Sequence, residues 1–386
     1  MADGMNAQLS LPDRAKAVAK TASEHADASE KLGQLAEPVV AALHENELFG
    51  MWVPKSVGGA ELDPIDSLQV IENLSYGDPS TGWVLMAASL AIGTGAAYLE
   101  KSAVDELFGG DTYPVIAGQG TRPGNAVPHE DGFLLSGSWS FASGIKHGTH
   151  IHTLGLISTT GEPRIFVLPV EQVELIDNWD VMGLRATGSI DYKADSVYVP
   201  EAYTHFAATE EPKQGGYLYT AGVIGFACMC HSGWACGIGR RLLDEIAGNV
   251  RERGGLENPQ GASDSFQQSY AKAEGTYRAA RALVFETWND VQETMQRGSK
   301  LTTRQHTLMR LAMTQVTWAA QEVASFVYLH SGTNALRAST IQRLFRDMHA
   351  GTQHLVASPP VWGAIGRELG GLVEGAHWQF VNLASS

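Results

Sequence analysis

The spacing of apolar positions divides the chain into three stretches. From about residue 12 to 108 they recur at helical intervals in an alanine-rich background, which a turn at 54–59 interrupts. Between about 112 and 200 the pattern changes to short runs, 133–143, 151–158, 164–170 and 190–199. These are rich in β-branched and aromatic residues and separated by Gly, Asn, Asp and Pro, which predicts strands. From about 222 the helical period returns. Tyr270, Ala273, Tyr277, Ala280, Val284, Trp288, Val291 and Met295 follow one another at steps of three and four, and so share one face of a long helix. Leu308, Leu311, Ala319, Val323 and Phe326 predict a second. With 222–250 and 341–357 these make four long helices, enough for a bundle. The expected fold is α+β and mostly α: an N-terminal helical domain over 1–111, a middle β-domain over 112–210 and a C-terminal four-helix bundle over 211–386.

Composition narrows the function classes. Of the 386 residues, 44% are hydrophobic and 18% charged, a globular balance with ample core. The formal net charge of −15 repels phosphate backbones and argues against nucleic acid as a partner. Cys228, Cys230 and Cys236 form an odd, clustered set, which suits helix packing in a reducing cytoplasm better than a disulfide framework. The sequence through Val18 has no apolar run of the signal-peptide kind. The run 222–238 contains His231 and Ser232 and predicts a buried helix rather than a membrane span. His147, His150 and His152 lack a third ligand at a familiar spacing, so no metal site is expected. Gly215–Gly216 and Gly254–Gly255 lack the strand–loop–helix setting of a phosphate cradle.

Five local motifs occur in a telling order. Thr121–Arg122–Pro123–Gly124 lies just before the strand region. The run 132–144, GFLLSGSWSFASG, follows it. Met182–Gly183–Leu184–Arg185–Ala186–Thr187–Gly188–Ser189 and Val197–Tyr198–Val199–Pro200 close the strand region, and Arg343–Leu344–Phe345–Arg346–Asp347 opens a late helix. Together they resemble the acyl-CoA dehydrogenase superfamily over nearly the whole chain, in its order of helices, β-domain and helical bundle. The resemblance implies a flavin site. Phe141 takes the place of the aromatic against the ring, and Ser143 that of the hydroxyl at flavin N5. Gly120 and Thr121 lie beside the cofactor, and Arg253 stands where an arginine reaches the flavin diphosphate. The physical demands agree. An isoalloxazine needs a flat apolar wall and a few fixed polar groups, and a hydroxyl can donate or accept at N5. Arg253 lacks the phenylalanine that usually follows it, and Tyr328 stands where a glutamine would reach the adenine. FAD and FMN therefore both remain open.

The segment after Asp347 decides between chemistries. A dehydrogenase of this family removes a proton with a glutamate that often lies here. The segment instead reads Met348–His349–Ala350–Gly351–Thr352–Gln353–His354–Leu355, with no Glu between Asp347 and Arg367. That pattern, with Thr187–Gly188–Ser189, resembles the two-component flavin-dependent monooxygenase branch. Those enzymes take reduced flavin from a separate flavin reductase, form a C4a-(hydro)peroxyflavin with O2, and pass one oxygen atom to a small, often aromatic substrate. His354 would exchange protons with a phenol- or indole-type substrate near neutral pH, with Trp83 as a substrate or flavin wall. The alternative is an FAD-dependent acyl-CoA-type dehydrogenase. The branch often carries a further active-site histidine on an N-terminal helix, and between Trp83 and Leu99 there is none. The long amphipathic helices have more apolar face than one bundle needs, and with the resemblance this implies a homotetramer in which a neighbouring subunit supplies Arg253.

Overall fold

The computed structural model describes residues 9–385. The N-terminal helices are α1 (Leu11–Leu32), α2 (Glu37–Glu45), α3 (Pro64–Gly77), α4 (Pro79–Tyr98) and α5 (Lys101–Phe108). Helix α4 matters most for the site. It is apolar on every side, and it packs against α3, the long helix of the C-terminal region and the sheet, so nearly all its residues are buried. It starts at Asp78, whose buried carboxylate accepts from the Thr81 backbone N–H at 2.8 Å. That cap sets where Trp83 emerges, one turn further on.

The middle region is a seven-stranded sheet: β1 (Ile116–His129), β2 (Gly132–Trp139), β3 (His150–Ile157), β4 (Pro163–Pro169), β5 (Glu174–Ile176), β6 (Asp191–Pro200) and β7 (Thr204–Phe206). Their order is β5-β6-β2-β1-β3-β4-β7, with β1 and β3 parallel and every other pair antiparallel. The sheet has its own core, in which Trp139 stacks on Tyr192 with ring centroids 5.2 Å apart. Two expectations need correcting here. Thr121–Gly124 does not precede the strands. It lies inside β1, where the register with β3 jumps between Gln119 and Gly124, as a bulge does. The run 133–143 is not one strand either. Pairing ends at Trp139, and the chain then turns out of the sheet.

The C-terminal region contains α6 (Gly222–Glu252), α7 (Asp264–Gln296), α8 (Thr303–Ser331), α9 (Thr340–Gly351) and α10 (Pro359–Leu369). The expected face of α7 is the buried one. On α8 the phase differs. The stripe runs through Met309, Ala312, Met313, Val316, Ala320, Val323 and Val327, while Leu308 and Leu311 stay half-buried at its edge. The fourth bundle helix is also shorter than its pattern suggested: α9 ends at Gly351 rather than continuing to 357. A small hairpin, β8 (His377–Gln379) and β9 (Asn382–Ala384), caps α8, with Trp378 Nε1 donating to Thr307 Oγ1 at 2.8 Å. Helices α4 and α6 are long and apolar enough to cross a membrane, but most of each apolar window is buried inside the fold. Their composition is that of core helices.

Candidate active site

Four separate elements converge around Trp83 of α4. Its ring meets those of Trp234, His231 and His354 edge-on, with centroids 5.0, 5.1 and 5.8 Å away. His231 and Trp234 belong to α6, one helical turn apart. His354 lies beyond α9, with its ring 4.1 Å from that of His231. The expectation that His354 sits on the helix following Arg346–Asp347 is therefore corrected. The helix stops first, and His354 begins a short 3-10 turn at Leu355–Ala357. Gly351 permits this approach: a β-carbon there would lie 2.2 Å from Cη2 of Trp234, so the last turn of α9 can sit flat on the indole only without one.

Both imidazoles are held neutral. Burial pushes the His354 pKa down to about 4, and burial together with His354 pushes that of His231 well below its ordinary value. This corrects the picture of a histidine tuned to titrate near pH 7. The Val356 N–H faces Nδ1 of His354 at 3.4 Å, a long contact that leaves Nε2 as the nitrogen open to a ligand.

On the other side of Trp83 lies a row of hydroxyls. Trp83 Nε1 donates to Ser143 Oγ at 3.0 Å. Ser143 Oγ is 2.8 Å from Ser189 Oγ, which is 2.6 Å from Thr187 Oγ1, which donates to the Leu184 carbonyl at 2.7 Å. Ser143 sits in the turn after β2, reached through Phe141. That residue has φ of 70°, a conformation costly for an aromatic, and remains 68% exposed. The strain holds because the next backbone groups are tied down. Ala142 N–H donates to Ile190 O at 3.1 Å and Gly144 N–H to Thr187 O at 2.8 Å. The loop 182–188 is in turn clamped to α9. Asp347 Oδ1 accepts from Leu184 N–H at 2.6 Å, and Arg346 Nη1 donates to the Met182 carbonyl at 2.8 Å.

The sequence-derived residues divide accordingly. Trp83, Ser143 and His354 come together, and Phe141 stands two residues from Ser143. Gly120 is in β1, with only Ile165 Cδ1, at 3.9 Å, near the position of a β-carbon. The side chain of Thr121 lies outside the described residues. Arg253, at the far end of α6, is about 33 Å along the helix from His231, so it does not meet the group within one chain. His231 was not singled out, although it is a lone imidazole in an otherwise apolar run. Ser189 and Thr187 were read only as part of a motif. Among the described residues no group of three or more His, Cys, Asp or Glu could hold a metal.

A flavin suits these residues. Phe141, 68% exposed, leaves apolar surface uncovered two residues from a buried hydroxyl that retains bonding capacity, and a flat ring with a polar edge needs both.

Comparison with known proteins agrees with the architecture. Residues 6–102 match the acyl-CoA dehydrogenase N-terminal domain, and residues 229–359 match the acyl-CoA dehydrogenase C-terminal domain. Indole-3-acetate monooxygenase of Pseudomonas putida is 30% identical over 83% of this chain and 83% of its own. The flavin-dependent monooxygenase oxygenase subunit HsaA of Mycobacterium tuberculosis is 26% identical over 87% of this chain and 89% of its own. The structure of XiaF from Streptomyces sp., solved with FADH2 and glycerol, has a TM-score of 0.83 at 21% identity, covering 95% of this chain and 96% of that one. The fold is thus that of the acyl-CoA dehydrogenases. Within it, this chain belongs to the flavin-dependent monooxygenases and is an oxidoreductase.

Proposed function

We propose that this chain is the oxygenase component of a two-component system. It hydroxylates a small phenol- or indole-type compound, using reduced FAD or FMN delivered by a separate reductase. The observation that carries this reading is the wall of Trp83, Trp234, His231 and His354 beside Ser143. Edge-on aromatic rings favour an aromatic guest, and a neutral imidazole offers it one donor and one acceptor. The relatives point the same way, one named for indole-3-acetate and another as an oxygenase subunit.

In this reading Phe141 supports one face of the flavin ring, with the backbone around Gly120 and Thr121 at its edge, and Ser143 holds N5. Reduced flavin, when bound, supplies the electrons that activate O2 for insertion of one oxygen atom. The protein's own part is positional and protonic. Trp83 orients the substrate and anchors Ser143 through its N–H. His354 hydrogen-bonds the substrate hydroxyl or ring N–H and carries its proton as the oxygen atom is transferred. The dry, aromatic surroundings keep water from the reacting centre.

Arg253 reaches a neighbouring flavin diphosphate within a homotetramer. Leu256, Leu329, Leu336 and Leu372, each more than two-thirds exposed in the single chain, supply apolar surface for that assembly. Three buried free cysteines suit a cytoplasmic setting. The test supplies the protein with chemically reduced flavin, O2 and a panel of phenols and indoles. The expected result is O2 consumption coupled to a singly oxygenated product, with no reduction of an artificial acceptor by acyl-CoA thioesters. Thioester-driven reduction without any oxygenated product would overturn the proposal in favour of a dehydrogenase.

A further inference from the structure

The row of hydroxyls beside Trp83 has a determined direction. One end is the Trp83 indole N–H, which can only donate. The other is the Leu184 carbonyl, which can only accept. Between them stand Ser143, Ser189 and Thr187, with one proton each. Three O···O contacts must be bridged: 2.8 Å from Ser143 to Ser189, 2.6 Å from Ser189 to Thr187, and 2.7 Å from Thr187 to the Leu184 carbonyl. A contact that short to a carbonyl needs a proton from Thr187, since the carbonyl has none. Thr187 must then accept from Ser189, and Ser189 from Ser143. All three protons are used. Ser143 accepts from Trp83, donates to Ser189, and keeps one lone pair for a ligand but no proton.

All three residues are buried, so water does not readily replace a missing partner. The carbonyl end is also well anchored. Leu184 N–H is held by Asp347, and Trp179 Nε1 reaches the same Leu184 carbonyl at 3.2 Å. Reversing the row would leave Thr187 and the carbonyl oxygen in contact with no proton between them, which is unfavourable in a low-dielectric interior.

We propose that Ser189 and Thr187, by fixing the polarity of the Ser143 hydroxyl against the Leu184 carbonyl, make this protein select reduced over oxidised flavin. The inference rests on the reading that Ser143 faces flavin N5. Oxidised isoalloxazine presents an unprotonated N5 that seeks a donor, and Ser143 has none to give. Reduced isoalloxazine presents N5–H, and Ser143 has the matching acceptor. Ser189 and Thr187 are positioning residues. They touch no flavin atom and act through Ser143.

Anaerobic titration of the full-length protein with oxidised and with dithionite-reduced FMN and FAD tests this without any turnover. The wild type is expected to bind the reduced form at least about tenfold more tightly, the scale of one satisfied against one frustrated hydrogen bond. In Ser189→Ala the Ser143 proton is released from its acceptor. In Thr187→Val, Ser189 loses its own acceptor and turns its proton toward Ser143. Either way Ser143 can donate outward, so affinity for oxidised flavin rises about tenfold; that for reduced flavin stays within about twofold in Ser189→Ala and falls in Thr187→Val, where the Ser189 proton takes the lone pair that N5–H would use. Ser143→Ala does the opposite, weakening only the reduced form. Thr187→Ser restores the wild-type ratio, which separates polarity from packing, and circular dichroism checks that each variant folds. Equal affinity of the wild type for both forms overturns the proposal, as does a parallel loss of both affinities in folded Ser189→Ala and Thr187→Val. Absence of binding to either flavin by the wild type overturns instead the flavin reading on which the proposal rests.

Discussion

Among the described residues, two pairs of histidines pack ring against ring near helix α4. His231 and His354 pack against Trp83 with rings 4.1 Å apart, and His354 remains half-open to the surroundings. His152 of β3 and His205 of β7 lie beneath the sheet, 6.4 Å apart and almost wholly buried. Burial depresses the pKa in both pairs, to about 4 for His354, about 3 for His152 and about 4 for His205, and well below the ordinary value for His231. A perturbed pKa therefore does not by itself distinguish a site from a core. The surroundings do. The first pair adjoins the Ser143 hydroxyl row and exposed apolar surface. The second is enclosed, and leaves His152 Nδ1 and His205 Nε2 without partners. The first pair thus lies open to a ligand, whereas the second has only a cost to stability.

The largest expected effect comes from breaking the first pair. His354→Ala should retain flavin binding yet lower the rate of product formation by about 10²-fold or more, the scale of a lost acid–base group. Single-turnover assays with reduced flavin check this, and normal coupled turnover would reduce His354 to packing.

Acid should reveal the second pair. His152 and His205 have folded pKa values below the unfolded value of 6.5. As pH falls below 6.5 the unfolded chain takes up protons that the folded chain refuses, so stability drops, and the loss levels off only near the folded values of 3 to 4. At pH 5 this amounts to about 2 kcal/mol for each residue. Urea unfolding of His152→Gln at pH 7.5 and pH 5, set against wild type, isolates that slope from buried Asp347. Asp347 works in the opposite sense, because its pKa is raised to about 7 by burial. A pH dependence unchanged in the variant would show that the ring is not held neutral.

Next in size is His231→Asn. With its neighbour lost, His354 keeps its place on the turn but not its stacking, and product formation should fall about tenfold with little change in flavin affinity. The smallest effect belongs to His150, which is only half-buried and hydrogen-bonded to its neighbour Thr149. His150→Gln should shift stability by no more than about 0.5 kcal/mol and leave turnover alone. A large loss there would place a functional histidine on the sheet and undo the contrast between the pairs.

Much of this arrangement was legible in the chain. Helical and strand periods marked the three regions, because burial on one face imposes a repeat that survives without coordinates. Short motifs singled out Ser143 and His354, which the fold brings to Trp83, although the helix end before His354 went unread. The misplaced boundaries have local causes too. The motif at 121–124 reads as a turn but is a bulge within a strand, and the pattern after Gly351 continues apolar although the helix has ended. Arg253 shows a different limit, since its expected role depends on another subunit's surface.

The sequence by itself determined the order of the elements, the core face of α7 and the family to which they belong. Periodicity and turn chemistry are properties of neighbouring residues and need no distant partner. Only the tertiary structure decided that His231 meets His354, and that the Ser143 hydroxyl, free in itself to donate or accept, is left only to accept. That choice depends on how three protons are shared among oxygens from Ser143, Thr187, Leu184 and Ser189. A hydrogen bond has a direction only when both its ends are in place, and folding brings those ends together.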